Sequence, residues 1–128
     1  KKKSHENPVF YVQYAHARIC SILSRIETST QRPDLNYQLL ATNYELDLIN
    51  QISRMPEIVC DIWESIAVHI LTTYATDLAD SFHKFYENCR VIDEKEDLMQ
   101  ARIALVQATK ITLANTLKLL GISAPEKM

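Results

Sequence analysis

Two tyrosines and two arginines share one side of a helix near the start of this 128-residue chain. Placed at steps of about 100° from Tyr11, the residues Tyr11, Tyr14, Arg18 and Arg25 fall between roughly 300° and 0°. Tyrosine rings stack on unpaired bases, and guanidinium groups stack on bases or grip phosphates. The chemistry such a stripe offers is recognition rather than bond-making. The same spacing equally fits tyrosines packed against a neighbouring helix with their hydroxyls at the surface. Arg18 then has the alternative of a surface ion pair, which is worth little.

The helix that must position this stripe spans 8–26. Pro8 suits the first turn, where a missing N–H costs nothing, and Asn7 before it is a good N-cap. Val9, Val12, His16, Ile19, Cys20, Leu23 and Ile26 fall on the opposite arc, from roughly 60° to 180°, and form its core face. His16 is therefore expected to be a hydrogen-bonded core histidine. Polar residues and Pro33 break the period after Ile26. A second helix over 35–53 follows, with Leu39, Leu46, Ile49 and Ile52 inward and Glu45 and Asp47 outward.

Pro56 opens a third helix carrying Ile58, Val59, Ile62, Trp63 and Ile66. A change of direction, or a bend, is expected near 67–69. Leu71, Tyr74, Leu78, Phe82 and Phe85 then recur at threes and fours up to a helix end near Cys89. Acids in 93–97 suit the start of a last helix over 97–120, where the dipole favours negative charge. Met99, Ile103, Val106, Lys110, Leu113, Leu117 and Leu120 make its seam, the Lys110 stem lying along apolar surface. Gly121 stands where a C′ glycine belongs, and Pro125 stops the helix from resuming.

Composition agrees with an all-α bundle of about five helices. Apolar residues make up 47% of the chain, enough for one core, and a single glycine leaves few turns of positive φ. No apolar run reaches transmembrane length, and no secretory segment opens the chain. Cys20, Cys60 and Cys89 form no CxxC pair and read as reduced thiols of a cytoplasmic protein. Net charge is −2, but residues 1–25 hold five Lys or Arg against one Glu, and 98–128 hold four against one. Residues 33–64 hold one Arg against six acids. If the end helices pack side by side, they offer a basic surface on an acidic domain; ordinary solvated faces are the plainer account.

Bond-making chemistry finds no residues. There is no Gly-rich phosphate loop, no HExxH and no nucleophile elbow. His5, His16, His69 and His83 lack metal-ligand spacing with one another and with the cysteines.

The run NPVFYVQYAHARICSI closely resembles the opening helix of the C-terminal anticodon-binding domain of arginyl-tRNA synthetases. FYENCRV and the final LLGISAPEKM resemble the same domain further on, so the likeness reaches from Asn7 to Met128. Val68-His69-Ile70 departs from a Pro-His-Arg triplet common there. The resemblance implies that residues 7–128 are the helical anticodon-binding domain and that 1–6 link it to an upstream catalytic domain. It implies a role in attaching arginine to its tRNA, the parent enzyme using ATP and Mg²⁺ and this piece holding neither. The HIGH and KMSKS motifs of class I synthetases are absent, so no arginyl-adenylate is expected here. Tyr11, Tyr14, Arg18, Tyr86 and Met128 are the implied contacts to the anticodon loop, with the middle base, a cytosine in this family, a principal identity element. Tyr86 also fits a core-edge position beside Phe82 and Phe85. Lys118 and Lys127 fit phosphate neighbours. The implied partners are an arginine tRNA and the upstream catalytic domain, with no membrane and a monomeric state. The alternative is a helical protein-interaction module without nucleic-acid binding.

Overall fold

The computed structural model describes residues 8–26, 37–65, 68–91 and 95–128. Among them every regular element is helical: α1 (Pro8–Ser24), a 3-10 turn (Tyr37–Leu39), α2 (Asn43–Ser53), α3 (Met55–Ser65), α4 (Val68–Asn88) and α5 (Glu96–Leu119). Asn7, Pro33, Leu35, Ile66, Asp93 and Glu94 lie outside the described residues, as do the side chains of Ile62 and Trp63. α3 ends at Ser65 and α4 starts at Val68; residues 66–67, next to the expected change of direction, lie outside the described residues.

α4 is the axis of the bundle and packs against α1, α2, α3 and α5. Its buried residues Leu71, Tyr74, Ala75, Leu78, Ala79, Phe82 and Phe85 repeat at three and four, which puts them on one broad face. Fully burying a Leu or Phe side chain is worth about 1.5–3 kcal/mol, so this face holds much of the folding free energy. Tyr74 satisfies its buried hydroxyl by donating to the Gln51 carbonyl at 2.6 Å. α1 lies across α4 and α5. Val12, Ala15, Ala17, Ile19 and Ile22 are buried beneath it, the two alanines allowing a close approach.

α2 corrects the sequence reading. It begins at Asn43, not 35, because Thr42 and Glu45 form a capping box. The Thr42 hydroxyl accepts from the Glu45 N–H at 3.2 Å, and Glu45 Oε1 accepts from the Thr42 N–H at 3.0 Å. That closure turns Glu45 inward. It is fully buried rather than solvated, and Arg102 of α5 donates from Nε to its Oε2 at 2.6 Å. Arg102 also donates to the Arg90 carbonyl at 2.7 Å, so one charge counted toward a basic surface is spent inside. With Glu45 facing in, Leu48 shares its side one turn on, while Leu39 and Leu46 are exposed. Val59 of α3 is exposed as well, whereas Ile58 is buried.

α5 ends as its sequence implies. Gly121 has φ of 74°, its N–H bonds the Lys118 carbonyl at 3.0 Å, and the Ile122 N–H bonds the Leu117 carbonyl at 2.9 Å. This is a Schellman closure, and it reverses the chain so that residues 122–128 return toward α1.

Candidate nucleic-acid interface

The outward stripe of α1 faces the C-terminal half of α4, and the five residues expected there divide by exposure. Tyr14 is 45% exposed and Met128 is 56% exposed. Tyr11, Arg18 and Tyr86 are half-buried.

Tyr11 donates its hydroxyl to Asp80 Oδ1 at 2.5 Å. Burial, followed by that bond and the Asp80 charge, pushes the phenol well above its ordinary pKa. Its polar end is thus committed to α4. Tyr14 keeps its ring open to solvent. Arg18 donates from one terminal nitrogen to His83 Nδ1 at 3.2 Å, and its guanidinium carbon stands 5.2 Å from the centroid of the Tyr86 ring. The guanidinium is therefore held by an imidazole nitrogen and a phenol ring, and among the described residues it forms no ion pair. Tyr86 in turn stacks on Phe82, with centroids 5.9 Å apart and 16° between planes. It is a core-edge tyrosine whose ring still touches the stripe.

The returning C-terminal segment is fastened to the same helix. Gln13 donates from Nε2 to the Ser123 carbonyl at 3.0 Å, and His16 donates from Nδ1 to the Pro125 carbonyl at 2.9 Å. His16 is buried, as its place on the core arc implies. Cys20 Sγ lies 3.8 Å from the same ring nitrogen, and burial raises the Cys20 thiol's pKa. This fastening sets Met128 beside Tyr14 and Arg18. Together with Ala17, Ser21, Glu126 and Lys127 they line a cleft of about 480 Å³. The cleft has an open aromatic ring, a guanidinium, a thioether, a carboxylate and an ammonium. That is the mixture of flat apolar surface and edge-directed donors and acceptors that a single unstacked base requires. Lys127 lines it; Lys118, also exposed, does not.

Sequence reasoning missed His83 and Asp80. The His83 ring lies 5.5 Å from the Tyr11 ring, 6.2 Å from Tyr14 and 5.7 Å from Phe82. Its Nε2 is buried without a hydrogen-bond partner among the described residues, a condition that costs about 1–3 kcal/mol. Burial, then the Arg18 charge, lowers its pKa. Metal-ligand spacing gives no hint of this residue. Its position one turn from both Asp80 and Tyr86 on the α4 face that meets α1 is the signal that does. Among the described residues no group of His, Cys, Asp and Glu is arranged to hold a metal ion.

Residues 12–128 match the family model of the DALR anticodon binding domain. An arginine–tRNA ligase of Dehalococcoides mccartyi is 48% identical over the whole chain, and one of Bacillus subtilis is 48% identical over 98% of it. The chain spans only 23% of the length of either relative. Among solved structures, Thermus thermophilus arginyl-tRNA synthetase superposes with a TM-score of 0.80 at 40% identity, covering 92% of this chain and 21% of that one.

Proposed function

We infer the function from one premise: the chain belongs to the DALR anticodon binding domain family. On our reading it is the anticodon-recognition domain of an arginine–tRNA ligase. The observation that carries this reading is the cleft between α1 and the returning segment, which gathers Tyr14, Arg18 and Met128. Anticodon bases are unpaired and can be splayed outward. One such base enters the cleft, stacks on the Tyr14 ring and packs against the Met128 thioether. Arg18, braced on Tyr86, supplies a second plane and donors, and Glu126 and Lys127 supply an acceptor and a donor for the base edge. Tyr11, tied to Asp80, offers its ring edge rather than its hydroxyl.

The rest of the assignment follows from the same premise. Residues 1–6 connect this domain to an upstream catalytic domain, and 7–128 bind the loop. The full-length ligase uses ATP and Mg²⁺, which bind elsewhere in it. The partner is an arginine tRNA, and the enzyme is a cytoplasmic monomer. Fluorescence anisotropy with two RNA hairpins tests the reading. An arginine anticodon stem-loop should bind more tightly than the same hairpin changed at its middle base, with affinity falling steeply as salt rises. Equal binding of the two hairpins would sink it.

A further inference from the structure

Arg18 is a long, flexible side chain on a helix surface, yet its guanidinium occupies one defined place. Two groups set that place: the Tyr86 ring below it and His83 Nδ1 at 3.2 Å. Arginine has donors only and stays protonated, so the Nδ1 of His83 must present a lone pair. The imidazole is then neutral, and its proton sits on Nε2. Among the described residues that covered nitrogen has no hydrogen-bond partner, so Arg18 alone sets the tautomer.

We propose that His83 is the positioning residue for Arg18: a neutral, Nε2-protonated imidazole that holds the guanidinium over Tyr86, pre-set for an incoming base. The ring is itself wedged among Tyr11, Tyr14 and Phe82, so it cannot swing away from the arginine without moving the stripe. The charged groups acting on it are Arg18 from α1 and Asp80 and Glu87 from α4. Burial and then the Arg18 charge oppose protonation, the two acids favour it, and the net effect is a pKa below the ordinary histidine value. Preorganisation of this kind lowers the ordering cost of binding rather than adding a contact.

A consequence separates this role from a merely structural one. Protonating His83 places an N–H where Arg18 needs a lone pair and sets two cations face to face. Arg18 is released, and RNA binding weakens as pH falls. A histidine acting on phosphates would do the reverse, because a cation gained at low pH tightens RNA.

The inference rests on the anticodon-loop reading, and the experiment keeps the two apart. In the free 128-residue chain, ¹⁵N spectra of the histidines should show Nδ1 of His83 as an unprotonated acceptor and Nε2 as protonated. The Arg18 Nε–H should be ordered in the native chain, disordered in His83→Leu and ordered again in His83→Asn, whose amide oxygen replaces the Nδ1 acceptor. With the arginine hairpin, His83→Leu should bind about tenfold more weakly, the size of one charge-assisted hydrogen bond. Combined with Arg18→Ala it should add no further loss. His83→Asn should recover most of the affinity and abolish the weakening expected as pH falls below the ordinary histidine value of 6.5. If the native chain discriminates no hairpin, the functional reading fails and the free-protein spectra still decide the His83–Arg18 pair. An ordered Arg18 in His83→Leu, additive losses, or tighter binding at low pH each overturns the proposal.

Discussion

Arg102→Met tests the bundle where its interior is most polar. Glu45 is 0% exposed and its carboxylate accepts three hydrogen bonds: from the Thr42 N–H and hydroxyl on Oε1, at 3.0 and 2.9 Å, and from Arg102 on Oε2, at 2.6 Å. Removing the guanidinium leaves the two Thr42 donors but no countercharge. Breaking a buried pair from one side costs about 3–5 kcal/mol. A domain of this size has about 5–15 kcal/mol in all, so about a fifth or more of its stability should go. At about 4 °C per kcal/mol, the melting midpoint should drop by roughly 12–20 °C. The partner variant Glu45→Gln with Arg102→Met buries no charge and keeps an acceptor for Thr42. It should recover at least half of that loss. Urea unfolding followed by circular dichroism measures both. The reasoning is refuted if Arg102→Met lies within about 1 kcal/mol of the native chain, or if the double variant is no more stable than the single one.

Tyr14→Ala should weaken the arginine hairpin by about 5- to 150-fold, the range for one lost stacking platform of 1–3 kcal/mol, with little change in the urea midpoint because the ring is largely open. Gly121→Ala forces a Cβ into the left-handed region at φ 74°, where the space around it is empty, so the cost is backbone strain alone: about 1 kcal/mol by urea unfolding. Alkaline titration of stability should fall in one direction. Tyr74 is pushed up to about 12 by burial, and Tyr11 is raised in the same sense. Both contributions are complete below the unfolded value of 10 and are lost as pH rises through the folded values, so urea midpoints should decline above pH 10.

Periodicity made much of the bundle legible. The alternation of threes and fours in α4 and α5 reflects faces that are mostly buried, and the buried Leu71, Tyr74, Leu78, Phe82 and Phe85 of α4 and Ile103, Val106, Leu113 and Leu117 of α5 fall where that spacing puts them. The apolar spacing misplaces the start of α2 at 35, because the deciding signal is a different one. Thr42-Asn43-Tyr44-Glu45 is a capping-box pattern, and it outranks the apolar spacing that draws the helix back to 35. Reading Glu45 as solvated fails because its countercharge, Arg102, lies 57 residues away in sequence. No local pattern carries such a pair. The candidate site divides the same way. The α1 stripe follows from helical geometry, and Gly121 announces the reversal that brings Met128 back. That Gln13 and His16 pin the returning segment, and that His83 and Asp80 meet the stripe from α4, depends on how α1 lies across the bundle. Only the packed structure supplies that.

On the proposed function, a base of the anticodon loop sits between the outer face of α1 and the segment ending in Met128. Photocrosslinking reads location directly. An arginine anticodon hairpin carrying 5-iodocytidine at its middle position, irradiated in complex with the chain and mapped by peptide mass spectrometry, should attach to Tyr14 and to the segment ending in Met128. Attachment confined to the far side of the bundle, at the exposed Tyr44 of α2 for example, would contradict the account.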